Sequence, residues 1–133
     1  MMDFIINKSL SNLEITTIFS KALKCNAHHI EIINDEAELI KLNNTKVHII
    51  STPLKGEFLT KISVLRISDE LKNSNTETEI AYLISKQLKS KVLITDNSPN
   101  PFSMTLIFEQ KKRQIFLNAD SLENDFFFLE ETI

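Results

Sequence analysis

The stretch from residue 76 to residue 131 places the tightest limits on the fold of this 133-residue chain. Thr76 and Glu79 have the spacing of a capping box, in which two side chains satisfy backbone N–H groups at the start of a helix. Apolar residues then recur every three or four positions and predict one buried stripe on that helix. They are Ile80, Leu83, Ile84 and Leu88. Strand-like segments follow directly, so the pattern indicates a helix packed against a sheet.

Three short apolar segments after this helix predict strands. They span residues 92–95, 103–109 and 114–118. Residues 96–101 contain two prolines and two asparagines and predict an ordered turn between the first two strands. The other two strands predict a hairpin with its tip at residues 110–113. The only basic triplet of the chain is therefore expected at that tip, where charges stay solvated. It consists of Lys111, Lys112 and Arg113.

Residues 11–24 predict a second amphipathic helix near the start of the chain. Ser11 and Glu14 repeat the capping-box spacing. The apolar residues at helical spacing after them are Ile15, Ile18, Phe19, Ala22 and Leu23. Residues 4–6 are apolar but too few to classify, and they fit either an edge strand or a hydrophobic lead-in to the helix.

The region between the helices has the composition of β-structure. Apolar and often β-branched segments span residues 28–33, 37–42, 47–51 and 57–67, and turn-forming residues separate them. Short connections favour antiparallel neighbours, so we expect a meander. The last of these strands is apolar on both faces and is expected to be central, with Phe58, Ile62 and Val64 on one side. Residues 36–42 fit a short helix as well as a strand.

Together these elements predict an α+β protein. We expect residues 1–133 to form a single domain in which a mainly antiparallel sheet packs against two amphipathic helices.

Composition excludes several functional classes. Gly56 is the only glycine, whereas glycine usually makes up about 7% of a chain. The P-loop and the dinucleotide-binding fingerprint need several glycines at fixed spacing, so neither is present. A net charge of −3 and a pI near 5.6 argue against a general nucleic-acid-binding protein.

The chain carries no pattern for a membrane or for export. No apolar run approaches the roughly 18 residues that span a bilayer. The N-terminus lacks a basic region followed by a long apolar stretch, so we expect a cytoplasmic protein without membrane contact. Cys25 is the only cysteine, which excludes an internal disulfide.

Cys25, His28 and His29 form the cluster that most resembles a chemical site. A metal site needs three or four ligands, and a nucleophilic cysteine needs a paired base. The two histidines are expected to begin a strand, whose alternation sends their side chains to opposite faces. We therefore favour a structural or neutral role, and we expect no enzyme, catalytic residue, metal or cofactor. His48 is expected in mid-strand, facing solvent.

The C-terminal residues 120–131, here named the acidic segment, are the best candidate for a binding surface. They carry five carboxylates, no lysine and no arginine, interleaved with phenylalanine and leucine. Aromatic side chains supply buried contact area in interfaces, and carboxylates steer and pair with a basic partner. The candidate contact residues are Asp120, Glu123, Asp125, Phe127, Glu130 and Glu131. The alternative is that residues 126–129 only cover the core, and both roles are compatible if Phe127 faces outward.

The order of these segments resembles the small immunity proteins encoded beside bacterial polymorphic or contact-dependent growth inhibition toxins. The resemblance rests on SLSNLEITTIFSKAL, HHIEII, GEFLTKISVLRI, EIAYLISKQL, KVLITDNSPNPFSMTLIF and QIFLNAD. It implies a cytoplasmic α+β protein that binds its cognate toxin tightly and blocks it. Many such toxins are basic nucleases, which suits the acidic charge. The resemblance assigns no individual residue a role.

We therefore expect an immunity protein that acts by stoichiometric association, as a monomer or weak homodimer. The alternative is a chaperone for a secreted bacterial effector, a class that is also small, acidic and α+β but stably dimeric. Such chaperones usually end in a further long helix, for which residues 121–131 are poorly suited.

Overall fold

The computed structural model describes residues 2–33, 47–67, 76–118 and 126–127. Its two helices are α1 (Asn12–Ala22) and α2 (Glu77–Leu88), and a short 3-10 turn spans Ala27–His29. Both predicted capping boxes are confirmed. The Ser11 hydroxyl accepts the Glu14 N–H at 3.2 Å, while Glu14 accepts the Ser11 N–H at 3.1 Å. Thr76 and Glu79 make the same reciprocal pair at the start of α2.

Seven strands form one mixed sheet, and two short strands pair separately. The strands are β1 (Met2–Ile6), β2 (Ile30–Ile33), β3 (Val47–Pro53), β4 (Lys55–Gly56), β5 (Thr60–Ile67), β6 (Val92–Thr95), β7 (Ser103–Phe108), β8 (Lys111–Phe116) and β9 (Phe126–Phe127). The large sheet has the order β2-β3-β5-β1-β6-β7-β8. All of its neighbours are antiparallel except β2 and β3, which run parallel. The predicted α+β fold with two helices is confirmed.

The sheet has a larger core on the face covered by the helices. Phe4 and Ile6 of β1 point to this face and pack with residues of α1 and α2. The rings of Phe4 and Phe19 meet edge-on, with centroids 5.7 Å apart. A smaller cluster lies on the opposite face and includes Ile5, Phe58 and Leu93. Residues 4–6 therefore form an inner strand, because they bury apolar side chains on both faces. This differs from both predictions for them, an edge strand or a lead-in.

The predicted meander is wrong at β2 and β3, because these two strands pair directly and in parallel, whereas the meander places the predicted strand at residues 37–42 between them. The predicted strand at residues 37–42, with its helical alternative, lies outside the described residues. The central position of β5 is confirmed, since β5 lies between β3 and β1. Phe58 precedes β5 and belongs to the smaller cluster, whereas Ile62 and Val64 belong to the larger one. The prediction that all three share one side is therefore wrong for Phe58.

The β7–β8 hairpin is confirmed, but its tip is not where the sequence predicts. Phe108 pairs with Lys111, so the turn consists of Glu109 and Gln110 alone. Both turn residues have positive φ, 53° and 63°, as a two-residue hairpin turn of type I′ requires. Asparagine and glycine favour this turn, and neither is present. The basic triplet consequently lies within β8 and not in a loop.

Candidate functional site

Two residues of the acidic segment form a short strand that pairs outside the seven-stranded sheet. Phe126 and Phe127 of β9 pair in parallel with Lys55 and Gly56 of β4, which lies in the connection between β3 and β5. Gly56 has φ of 106°, a conformation that glycine adopts without the steric cost of a Cβ atom. The only glycine of the chain therefore lies where the C-terminal strand is held.

The structure describes only part of the predicted contact surface. The backbone of Phe127 is placed by its pairing with Gly56. The other predicted contact residues lie outside the described residues. They are Asp120, Glu123, Asp125, Glu130 and Glu131. Their role stays a prediction.

The two histidines of the cluster Cys25, His28 and His29 do not have the arrangement that the sequence predicts. His28 and His29 belong to a 3-10 turn and not to a strand, and their rings touch edge-on with centroids 4.3 Å apart. Cys25 is partly buried, and desolvation raises the pKa of its thiol. Among the described residues, no group of three or more histidine, cysteine, aspartate or glutamate side chains could hold a metal ion.

His48 is buried, with only 2% of its surface exposed, so the prediction that it faces solvent is wrong. Strand β3 lies between β2 and β5, and every residue from Val47 to Ile50 is buried. A strand covered on both faces has no solvent side for a polar residue to occupy.

A polar network fixes the loop between β6 and β7. Asp96 accepts the backbone N–H of Ser98 at 2.9 Å and the hydroxyl hydrogen of Ser103. Gln114 of β8 donates from Nε2 to Ser103 Oγ at 2.7 Å and to Asp96 at 3.3 Å. These hydrogen bonds favour the ionised carboxylate and lower the pKa of Asp96. The largest effect comes from the Ser103 hydroxyl, and smaller ones come from the Ser98 N–H and the Gln114 amide. The network ties three strands together at one end of the sheet.

The same end of the sheet carries a concentration of positive charge, here named the basic edge. It consists of Lys86, Lys89, Lys91, Lys111, Lys112 and Arg113. The first two come from the end of α2, which packs against β6 and β7, and the last three come from β8. Within the described part of the chain, none of the six forms an ion pair. Only the triplet is evident from the sequence, because α2 and β8 are far apart in the chain.

Three grooves surround the basic edge. One of about 340 Å³ is lined by the apolar residues Leu106 and Phe108 and by cations that include Lys91, Lys111 and Arg113. A second, of about 410 Å³, lies between Phe108 and the end of α2. A third, of about 350 Å³, runs from Asp96 to Lys112 and Arg113. Glu109 is the only carboxylate lining the first two grooves.

Comparison with protein-family models, with curated proteins and with solved structures finds no match for this chain. In the part of the chain that the structure describes, no helix has the length and apolar character needed to cross a bilayer.

Proposed function

We propose that this protein is an immunity protein that neutralises a bacterial toxin by stoichiometric binding, with the acidic segment as its contact surface. The observation that supports this most is the pairing of β9 with β4. It attaches the backbone of Phe126 and Phe127 to the folded body of the protein. An attached segment loses less conformational entropy on binding than a free tail, so more of its contact energy appears as affinity.

The chemistry of the acidic segment suits a basic partner. Five carboxylates in residues 120–131 accelerate encounter with a positively charged surface and disfavour acidic partners. Phenylalanine supplies the apolar contact area on which the centre of an interface depends. A basic nuclease toxin, the class that the sequence resemblance implies, has the matching charge.

The test is co-expression with the toxin encoded beside its gene, scored by cell survival and by co-purification. Wild-type protein is expected to protect the cells and to co-purify with the toxin in a fixed ratio. If cells die as readily with the protein as without it, and the two do not co-purify, the proposal is wrong. A stable dimer that binds a secreted effector without protecting cells points to the chaperone alternative.

Two variants test whether toxin binding depends on charge in the acidic segment or only on the net charge of the protein. The first neutralises its five carboxylates with Asp120→Asn, Glu123→Gln, Asp125→Asn, Glu130→Gln and Glu131→Gln. The matched control makes the same change in net charge at exposed positions elsewhere. Its substitutions are Ser9→Lys, Thr17→Lys, Thr52→Lys, Gln87→Lys and Thr95→Lys. We expect the first variant to lose protection and the control to keep it.

A third variant tests the attachment without changing any charge. Gly56→Ala places a Cβ atom at φ of 106°, which costs about 1–3 kcal/mol and disfavours the β4–β9 pairing. We expect weaker toxin binding with all carboxylates intact, while Lys55→Ala at the neighbouring exposed position changes little. Equal binding by Gly56→Ala and wild type, measured by calorimetry, contradicts a role for the attachment.

A further inference from the structure

Strand β8 is an edge of the sheet whose first half faces solvent. Among the described residues, β7 is its only partner. Residues 111–114 are all exposed. Edge strands carry backbone N–H and C=O groups that are available to another strand.

The register of the hairpin shows which backbone groups point outward. The Leu117 N–H donates to the Phe102 carbonyl oxygen at 2.8 Å. In an antiparallel ladder, hydrogen-bonded pairs alternate with pairs that do not bond each other. The pairs Arg113–Leu106 and Lys111–Phe108 therefore bond within the hairpin. The backbone N–H and C=O groups of Lys112 and Gln114 point away from β7.

The cations of β8 alternate between the two faces of the sheet. Lys112 lies opposite Ile107, which belongs to the core under the helices. Arg113 lies opposite Leu106, which belongs to the cluster on the other face. The grooves described above run along both sides of the strand. An added strand would therefore have a cation and an open groove on each of its faces.

We propose that β8 binds an extended acidic segment of a partner protein, which joins the sheet as an additional strand. The outward groups of Lys112 and Gln114 form main-chain hydrogen bonds with it, as in other cases of strand addition. Lys111 and Arg113 pair with carboxylates on one face of the added strand, and Lys112 pairs with one on the other face. This surface consists of other residues than the acidic segment and is opposite in charge, so the proposal goes beyond toxin binding and does not depend on it.

Two other occupants suit the edge less well. In a second copy of β8, like charges would lie opposite each other, which disfavours pairing. A nucleic acid would not use the outward backbone groups, and its strand could reach the cations of only one face. The net charge of −3 also repels a long polyanion, while a short acidic peptide is affected less.

Fluorescence anisotropy with labelled probes tests the proposal on the full chain. The first probe is a short peptide in which three consecutive glutamates are flanked by threonines, so an extended strand carries two carboxylates on one face and one on the other. The second has the same sequence but carries an N-methyl group on every backbone nitrogen of the glutamate stretch, so it keeps the charge and donates no main-chain hydrogen bond from either edge. The third replaces glutamate with lysine, and the fourth is single-stranded oligothymidine. We expect binding of the first probe only, and an affinity that falls as salt concentration rises.

Substitutions in β8 locate the binding on the protein. Lys112→Pro removes the outward N–H without touching the β7 ladder and is expected to weaken binding about tenfold. Lys112→Ala keeps the N–H and should weaken binding only about threefold. Lys111→Glu with Arg113→Glu is expected to weaken it more than about thirtyfold. The matched charge control is Lys21→Glu with Lys24→Glu, both exposed near the end of α1, which should bind like wild type.

The outcomes separate the proposal from its rivals. Equal binding of the methylated and unmethylated glutamate peptides contradicts strand addition, and this comparison uses wild-type protein, so it holds even if Lys112→Pro fails to fold. Tighter binding of oligothymidine that is lost in the Lys111→Glu, Arg113→Glu variant shows a nucleic-acid site and overturns the proposal. No binding of the glutamate peptide at any salt concentration also overturns it.

Discussion

The two ends of the seven-stranded sheet have opposite chemistry. At the β2–β3 end, every residue from Val47 to Ile50 is buried. At the β8 end, residues 111–114 are exposed, and three of them are cationic. The first end is required for the core, because the side chains of residues 47–50 have no solvent face. The charges at the second end are not needed for packing, so they are available to prevent aggregation or to bind a partner.

The largest expected effect lies at the packed end. Ile49→Ala removes a fully buried side chain from β3 and is expected to lower the free energy of unfolding by about 2–5 kcal/mol. Urea denaturation followed by circular dichroism measures this change. A loss under about 1 kcal/mol would show that the β2–β3 end is packed less tightly than its burial indicates.

Among the polar side chains of the charged end, those of the polar network are expected to stabilise the fold. Asp96→Asn should lower the free energy of unfolding by about 1 kcal/mol at neutral pH, because it weakens the hydrogen bonds from Ser103 and Ser98. The folded state holds the pKa of Asp96 below its ordinary value of 3.8. Its stabilisation is therefore present above that value and is lost as pH falls through the lower, folded-state pKa.

The measurement for Asp96 is a series of urea denaturation curves between neutral and acidic pH. The difference between wild type and Asp96→Asn should be constant near neutral pH and should narrow below about pH 4. A difference that stays the same throughout, or that widens in acid, contradicts the proposed role of the ionised carboxylate.

The hairpin turn at the charged end is expected to be strained, so a substitution there should stabilise the protein. Gln110→Gly removes the steric cost of φ at 63° and is expected to raise the free energy of unfolding by about 0.5–1 kcal/mol. Thermal unfolding measures the gain. The control is Gln87→Gly in α2, where glycine should destabilise by a similar amount. Destabilisation by both substitutions would contradict the turn geometry.

The smallest effect is expected at the cations themselves. Lys111→Ala should change the free energy of unfolding by less than about 0.5 kcal/mol, because the side chain is exposed and forms no ion pair within the described residues. Urea denaturation beside Ile49→Ala gives the comparison directly. If Ile49→Ala and Lys111→Ala change the free energy of unfolding by similar amounts, the proposed difference between the packed end and the charged end is wrong.

Local signals in the sequence predict much of this fold, and long-range signals are missing. The capping boxes at Ser11 and Thr76 are complete within four residues, so both helix starts are predicted correctly. The parallel pairing of β2 and β3 depends on contacts that no local pattern encodes. The hairpin tip is misplaced because Glu109 and Gln110 adopt positive φ without the usual asparagine or glycine.

One candidate site can be found from the sequence alone, and the other cannot. Charge sorting in residues 120–131 is visible in the sequence, and so the acidic segment is found without a structure. The basic edge combines Lys86 and Lys89 of α2 with the triplet of β8, and only the packing of α2 against the sheet joins them. The net charge of −3 indicates only an acidic protein and does not show that positive and negative charges lie in different parts of the chain.

The most direct test of two separate docking surfaces is calorimetric titration of the toxin encoded beside the gene into wild type and two variants. One variant has the five neutralised carboxylates of the acidic segment, and the other carries Lys111→Glu with Arg113→Glu. We predict that neutralisation abolishes toxin binding, while the β8 variant binds within about twofold of wild type. Loss of binding in the β8 variant, or full binding after neutralisation, would contradict the assignment of the toxin to the acidic segment.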